Sequence, residues 1–154
     1  MEGDNKFMNL RVGAINVNTF NVSTLGQRAS KTHIKVEGIT AKQHDIIFIC
    51  DCRMSNRGTD IERMMGLNRN RSYKLYKNSS KDSRGVAIAI RRNIAHTVIA
   101  RYEDAEENIL LLKIMLGNKE VILGAIYGPN SNDLDFYRNL KLQLEGMGGT
   151  YRNF

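Results

Sequence analysis

The chain has 154 residues, 42% of them hydrophobic and 25% charged, a balance that suits one domain with a real core and excludes a low-complexity or fibrous protein. No stretch approaches the roughly 20 apolar residues that span a bilayer, and Met1 to Lys6 lacks a basic region followed by an apolar one. No secretory signal is therefore visible, and an intracellular protein, nuclear or cytoplasmic, is expected. Lys and Arg outnumber Asp and Glu by 23 to 16, giving a net charge of +7. That surplus favours polyanionic partners through phosphate contacts and counterion release without proving them.

In chain order, residues 1–7 read as a disordered start and residues 8–16 as a strand. The Ser-, Thr- and Asn-containing stretch 19–30 reads as a loop. Lys31 to Gln43 reads as a helix in which Ile34, Gly38 and Ala41 recur at helical spacing, weakened by Gly38. Asp45 to Cys50 has no polar alternation, so a strand there is expected to be buried on both faces. Asn56-Arg57-Gly58 is a turn, and Thr59 to Glu62 can cap a short helix to Leu67. Five strands follow closely, at about 72–77, 85–91, 94–102, 107–116 and 119–127. Gly117-Asn118 between the last two is a hairpin signal. Ser131 or Asn132 is expected to cap a helix to about Glu145, with Asp133 and Asp135 in its first turn and a stripe of Phe136, Leu140 and Leu144.

Strand 107–116 is apolar on both sides: Leu110, Leu112, Ile114 and Leu116 on one, Ile109, Leu111 and Met115 on the other. With few strands to cover it, an exposed apolar face and poor solubility are expected. Cys50 and Cys52, the only cysteines, lack the further ligands of a zinc site, and a disulfide between them would be strained. Small buried side chains in a reducing compartment are the simpler reading. His33, His44 and His96 are far apart in sequence and read as structural or surface residues.

Three strands end in oxygen-bearing clusters, the usual place for a ligand in sheet proteins of this kind. Asn16 and Asn18 share a face at the end of the first strand, where an amide can orient a phosphate or a metal-bound water, or simply form a turn. Asp51, ending an apolar strand, must bind a cation or donors. It can hold Mg²⁺, pair with Arg53 or cap its loop. In Tyr127-Gly128-Pro129-Asn130 the single proline fixes the backbone, so that a phenol and an amide can face one phosphate, or the segment is only a turn before a helix. Arg84 before Gly85 can reach a backbone phosphate or sit in a solvated turn.

Taken in order, Asn16-Val17-Asn18, Asp45 to Asp51, Gly85-Val86-Ala87-Ile88 and Tyr127-Gly128-Pro129-Asn130 resemble the successive motifs of the endonuclease/exonuclease/phosphatase superfamily. This is the DNase-like fold that includes apurinic-site endonucleases. The family opens with a strand ending in Asn-x-Asn or Asn-x-Asp, continues with an Asp-Ile-Ile-type strand ending in an acid, and later carries Gly-Val-Ala-Ile and Tyr-x-Pro-Asn. The resemblance covers about residues 8–145 and is closest to the endonuclease domain of LINE-type (non-LTR) retrotransposons, through the short loops, the basic balance and the Asp-Cys-Arg ending.

What the resemblance implies is an α/β fold, the N-terminal portion of a four-layer α/β/β/α sandwich with mixed sheets, over residues 8–154. It implies Asn16, Tyr127 and Asn130 as catalytic or phosphate-side groups and Asp51 as the ligand of Mg²⁺ or Mn²⁺. Asn18, Arg53 and Arg84 are implied as substrate contacts, and DNA as the substrate. Two departures stand beside it. The family has Glu where this chain has Asp51, one methylene shorter. Its later Gly-Asp-x-Asn strand and final Asp-His pair do not occur. A truncated metal-dependent DNA endonuclease, inactive alone, is therefore the expectation, with a C-terminal half or a fused reverse transcriptase as possible further chain. A phosphatase or phosphodiesterase acting on a small phosphorylated substrate, and a non-catalytic basic nucleic-acid-binding remnant, are the alternatives.

Overall fold

The computed structural model describes residues 10–16, 43–54, 73–81 and 83–148. Among these residues, seven strands form two sheets. β1 (Val12–Asn16), β2 (Ile46–Cys50), β3 (Tyr73–Asn78) and β4 (Val86–Arg91) make the first, in the order β1-β2-β4-β3. It is mixed, since β1 runs parallel to β2 while β4 is antiparallel to both of its neighbours. β5 (Thr97–Glu103), β6 (Ile109–Leu116) and β7 (Lys119–Ile126) make an antiparallel second sheet. A single described helix, α1 (Leu134–Gly146), follows.

The two-residue period of a strand sends alternate side chains to opposite faces, and the core divides accordingly. Ile46, Tyr76, Val86, Ile88 and Ile90 face Leu110, Leu112, Ile114, Leu116, Leu123 and Ala125 across the gap between the sheets. Ile47, Ile49, Tyr73, Ala87 and Ala89 form a second cluster on the other face of the first sheet, joined by Cys52 and Met54 just beyond β2. β2 and β4 are thus central strands with apolar side chains buried on both sides, as the missing alternation in Asp45–Cys50 implies.

The second sheet corrects one expectation. The outer-facing Ile109 and Leu111 are only 1% and 0% exposed, so β6 presents no exposed apolar face. α1 lies over this side, with Asn139 Nδ2 donating to Tyr102 Oη at 2.9 Å, and Tyr102 shares its face with its cross-strand partner Leu111. Phe136, Asn139, Leu140, Gln143 and Leu144 form the half-buried stripe of the helix.

The N-cap is also corrected. Asp133 caps α1 by accepting from Phe136 N at 3.1 Å, in place of the expected Ser131 or Asn132. Gly117 takes φ 60° at the first turn position of the β6–β7 hairpin, where a positive angle is required in a II′ turn. β5 begins at Thr97 rather than near residue 94, because Ile94 N bonds back to Arg91 O in a turn. A bulge between Val98 and Ala100 leaves Ile99 48% exposed. His96 is structural, its Nε2 lying 2.8 Å from Tyr76 Oη. The helices expected at 31–43 and 59–67 and the disordered start at 1–7 lie outside the described residues, apart from Gln43.

β1 and β7 end their sheets on the same side, and two hollows lie between them. One, about 250 Å³, is lined by Leu10, Val12, Ile46, Leu116, Lys119, Val121 and Leu123. The other, about 370 Å³, lies at the opposite end of these strands and is lined by Ala14, Ile15, Cys50, Ile126, Tyr127 and Gly128.

The two-sided core sets an expected mutational contrast. Leu112→Ala, at a fully buried position between the sheets, is expected to lower stability by about 3 kcal/mol in urea unfolding. Val12→Ser, on the half-exposed edge strand, is expected to stay within about 0.5 kcal/mol of wild type.

Candidate functional site

The parallel register pairs Asn16 with Cys50, and the antiparallel register pairs Cys50 with Val86. The ends of β1 and β2 and the start of β4 therefore meet at one edge of the first sheet. β7 of the second sheet ends at the same edge, where Cys50 Sγ lies 3.7 Å from Ile126 O. The strand ends that carry Asn16, Asp51 and Tyr127, and the Arg84 loop before β4, are distant in sequence but are brought to one edge by strand direction. The 370 Å³ hollow opens there.

Backbone bonds then lock the loops together. Cys52 N donates to Gly85 O at 3.0 Å, Arg53 N to Arg84 O at 2.9 Å, and Gly85 N to Glu107 O at 3.1 Å. Of the five non-glycine residues with positive φ among the described residues, Asp51, Arg53, Arg84 and Glu107 all belong to this junction. Left-handed backbone at such residues costs energy and persists where the surroundings enforce it. Gly85 has φ 90°, and a Cβ there would meet Ser79 Oγ at 2.2 Å, so only glycine fits the crossing.

Arg84 is held from two sides. Its Nη1 donates to Asn108 Oδ1 at 3.0 Å, and its guanidinium carbon lies 5.3 Å from the centre of the Tyr127 ring, a cation–π distance. Asn108 also accepts from Tyr127 N through its backbone oxygen at 2.8 Å. One asparagine thus ties the start of β4 to the end of β7. Asn130 is exposed on the loop before α1, and no contact among the described residues joins it to this cluster. For Asn16 the backbone alone is described, and Asn18 lies outside the described residues.

Asn108 and its supports, Asp104 and Glu107, were not singled out in the sequence. Asp104 Oδ1 accepts from Asn108 N at 2.8 Å and Ile109 N at 2.7 Å. Asn78 Nδ2 donates to Ile109 O at 2.9 Å and Asp104 Oδ1 at 3.1 Å, joining the two sheets. The buried Glu107 accepts from Ser80 N at 2.9 Å, from Ser80 Oγ and from Lys81 N at 3.3 Å. Burial pushes its carboxyl upward in pKa, but the Ser80 and Lys81 hydrogen bonds with the Lys81 charge outweigh that and hold it below the usual range. Burial, with the Asp51 charge second, raises the Cys50 thiol. Cys52 is raised by burial first and then by the charges of Cys50 and Asp51. Both are free thiols, held protonated as small structural side chains.

No family model and no curated protein sequence matches the chain, whereas solved structures do. TDP2 from C. elegans aligns with a TM-score of 0.58 at 12% identity, over 90% of this chain and 44% of that one. D. rerio TDP2 complexed with single-strand DNA product gives 0.59 at 13%, over 92% and 56%. The endonuclease domain of TRAS1, a telomere-specific non-LTR retrotransposon, gives 0.55 at 15%, over 91% and 55%. The chain therefore shares the DNase I-like fold of these structures. At these identities the likeness is one of fold, and the chain spans about half the length of the structures it matches.

The Mg²⁺ implied by a DNase I-like site needs oxygen ligands, usually one or two carboxylates with water and phosphate. Among the described residues no three His, Cys, Asp or Glu side chains converge as a cation site. The acid at the end of β2 is Asp51, and Arg53 Nε stands 2.9 Å from its Oδ1. With a guanidinium already paired with this buried carboxylate and no second acid converging on it among the described residues, these side chains fit an arginine counter-charge better than a divalent ion.

The Glu107 contacts give a pH signature. Because its folded pKa is lowered, its stabilising contribution is complete above the unfolded carboxyl value of about 4.3 and is lost as pH falls through the folded value. Glu107→Gln is expected to lower stability at pH 7 by about 1–3 kcal/mol. Denaturant unfolding measured from pH 7 to pH 3 checks this, since the loss relative to wild type should shrink on acidification.

Proposed function

We propose that this chain supplies the phosphate-contacting side of a DNase I-like phosphodiesterase site acting on DNA, of the kind found in retrotransposon endonucleases. What supports the reading is that the strand ends carrying Asp51 and Tyr127 meet the Arg84 loop at one edge of the fold, with the Arg84 guanidinium over the Tyr127 ring. The net charge of +7 supports a polyanionic substrate, and the neighbours include a DNA complex and a retrotransposon endonuclease domain.

The chemistry follows from the groups at the mouth. Arg84, fixed by Asn108 and lying over the Tyr127 ring, offers planar donors suited to a phosphate oxygen. The Tyr127 hydroxyl can donate beside it, and the exposed Asn130 amide can join once DNA lies across the β7–α1 loop. Such donors stabilise the charge that develops as a nucleophile adds to phosphorus. Hydrolysis also needs a group to take a proton from water. The Asp-His pair that the resemblance leads one to expect for this does not occur in the sequence, so this chain by itself is proposed to bind DNA without cutting it.

The reading of a non-catalytic nucleic-acid binder gains from Arg53 on Asp51 and shares the DNA substrate. A phosphatase or phosphodiesterase for a small phosphorylated substrate is disfavoured by the basic balance. Fluorescence anisotropy with a short DNA oligonucleotide separates these. Binding is expected to fall steeply with salt, and Arg84→Ala to weaken it by about tenfold and to lower the salt slope by about one. No nicking of supercoiled plasmid is expected with Mg²⁺. Cleavage that disappears in Asp51→Ala would contradict the inactivity, and turnover of soluble phosphate esters without DNA binding would favour the small substrate.

A further inference from the structure

A buried carboxylate needs a counter-charge, and the Asp51 side chain is only 5% exposed. Arg53 supplies that charge at 2.9 Å, while its own side chain remains 31% exposed. The backbone fixes the pair: Asp51 and Arg53 have φ of 58° and 47°, and the intervening bonds of Cys52 and Arg53 to Gly85 and Arg84 hold the loop. In an extended strand, residues two apart would share a face without this closure. Two left-handed residues curl the chain so that Arg53 returns onto Asp51.

We infer that Arg53 is a built-in counter-cation that takes the place of a divalent metal at Asp51, so that a phosphodiester is received here by guanidinium groups and not through a bound ion. The inference rests on the reading of this mouth as a phosphate site. An arginine side chain is always charged and carries five N–H donors in a planar fork. With Nε spent on Asp51, the partly exposed fork still carries its Nη donors. Arg84 stands on the adjoining, backbone-bonded loop, so the formal charge of Asp51, Arg53 and Arg84 together is positive with no metal present.

Two measurements on the whole chain test this. In the first, Mn²⁺ is titrated and the free ion followed by electron paramagnetic resonance. Wild type is expected to show no site tighter than millimolar, and Arg53→Gln to gain one that Asp51→Asn then removes. A micromolar site in wild type overturns the inference. In the second, a short fluorescein-labelled single-stranded oligonucleotide is bound in EDTA and in Mg²⁺. Wild-type affinity is expected to agree within about twofold between the two, and Arg53→Gln to lose about tenfold in EDTA and regain part of it with Mg²⁺. Wild-type binding that vanishes in EDTA overturns the inference. Failure to bind DNA under either condition removes the DNA reading instead, with the Mn²⁺ titration still deciding the role of Arg53. If Arg53→Gln does not fold, as circular dichroism would show, the wild-type arms decide alone.

Discussion

Burial of β2 and β4 on both faces is the constraint from which the rest follows. Ile46 and Ile88 point into the gap between the sheets, while Ile47, Ile49, Ala87 and Ala89 point the other way. A strand so enclosed cannot slip by one residue, because a slip would exchange its two apolar faces and break both clusters. The end of β2 and the start of β4 are therefore fixed in space before any polar residue is considered. Asp51 and Arg84 inherit their positions from apolar packing in the strands beside them.

The polar junction builds on that frame. Gly85 has no room for a Cβ beside Ser79, and four left-handed residues turn three loops toward one another. The arrangement is held by hydrogen bonds within the β5–β6 loop, Asn108 N to Asp104, and between segments, Ser80 and Lys81 to Glu107 and Asn78 across to Ile109. This is where the fold spends conformational strain, and where its charged side chains are most closely directed by neighbours.

The strands were largely legible in the sequence because their signal is redundant. Asp45–Cys50 and 107–116 are apolar at consecutive positions, Gly117-Asn118 separates two such runs, and the edges fell within a few residues. The meeting of the strand ends that carry Asn16, Asp51 and Tyr127 was legible only through the order of motifs, since no local rule says that three strand ends meet. The side chains of Asn16 and Asn18 are not described, so their part in the cluster has no geometry behind it. Asn108, Glu107 and Asp104 were not legible. A short acidic run before a strand looks like any solvated turn, and its burial depends on positive φ at Arg84 and Glu107, which composition does not reveal. The cover on β6 was missed for a related reason: an amphipathic helix announces a stripe but not the face it will lie on.

Among the described residues the two sheets stop on the same flank, at β1 and β7, and that flank is also a wall of the cleft. Ala14 and Ile15 line it from one sheet, and Ile126, Tyr127 and Gly128 from the other. Edge strands offer their outer backbone donors and acceptors to a further strand, so an extended chain laid along either one would lengthen a sheet and deepen the cleft in the same act. It would leave the doubly buried β2–β4 centre untouched. The shape of the cleft is thus open to revision from outside, while the position of the neighbouring Asp51–Arg53 pair is set from within.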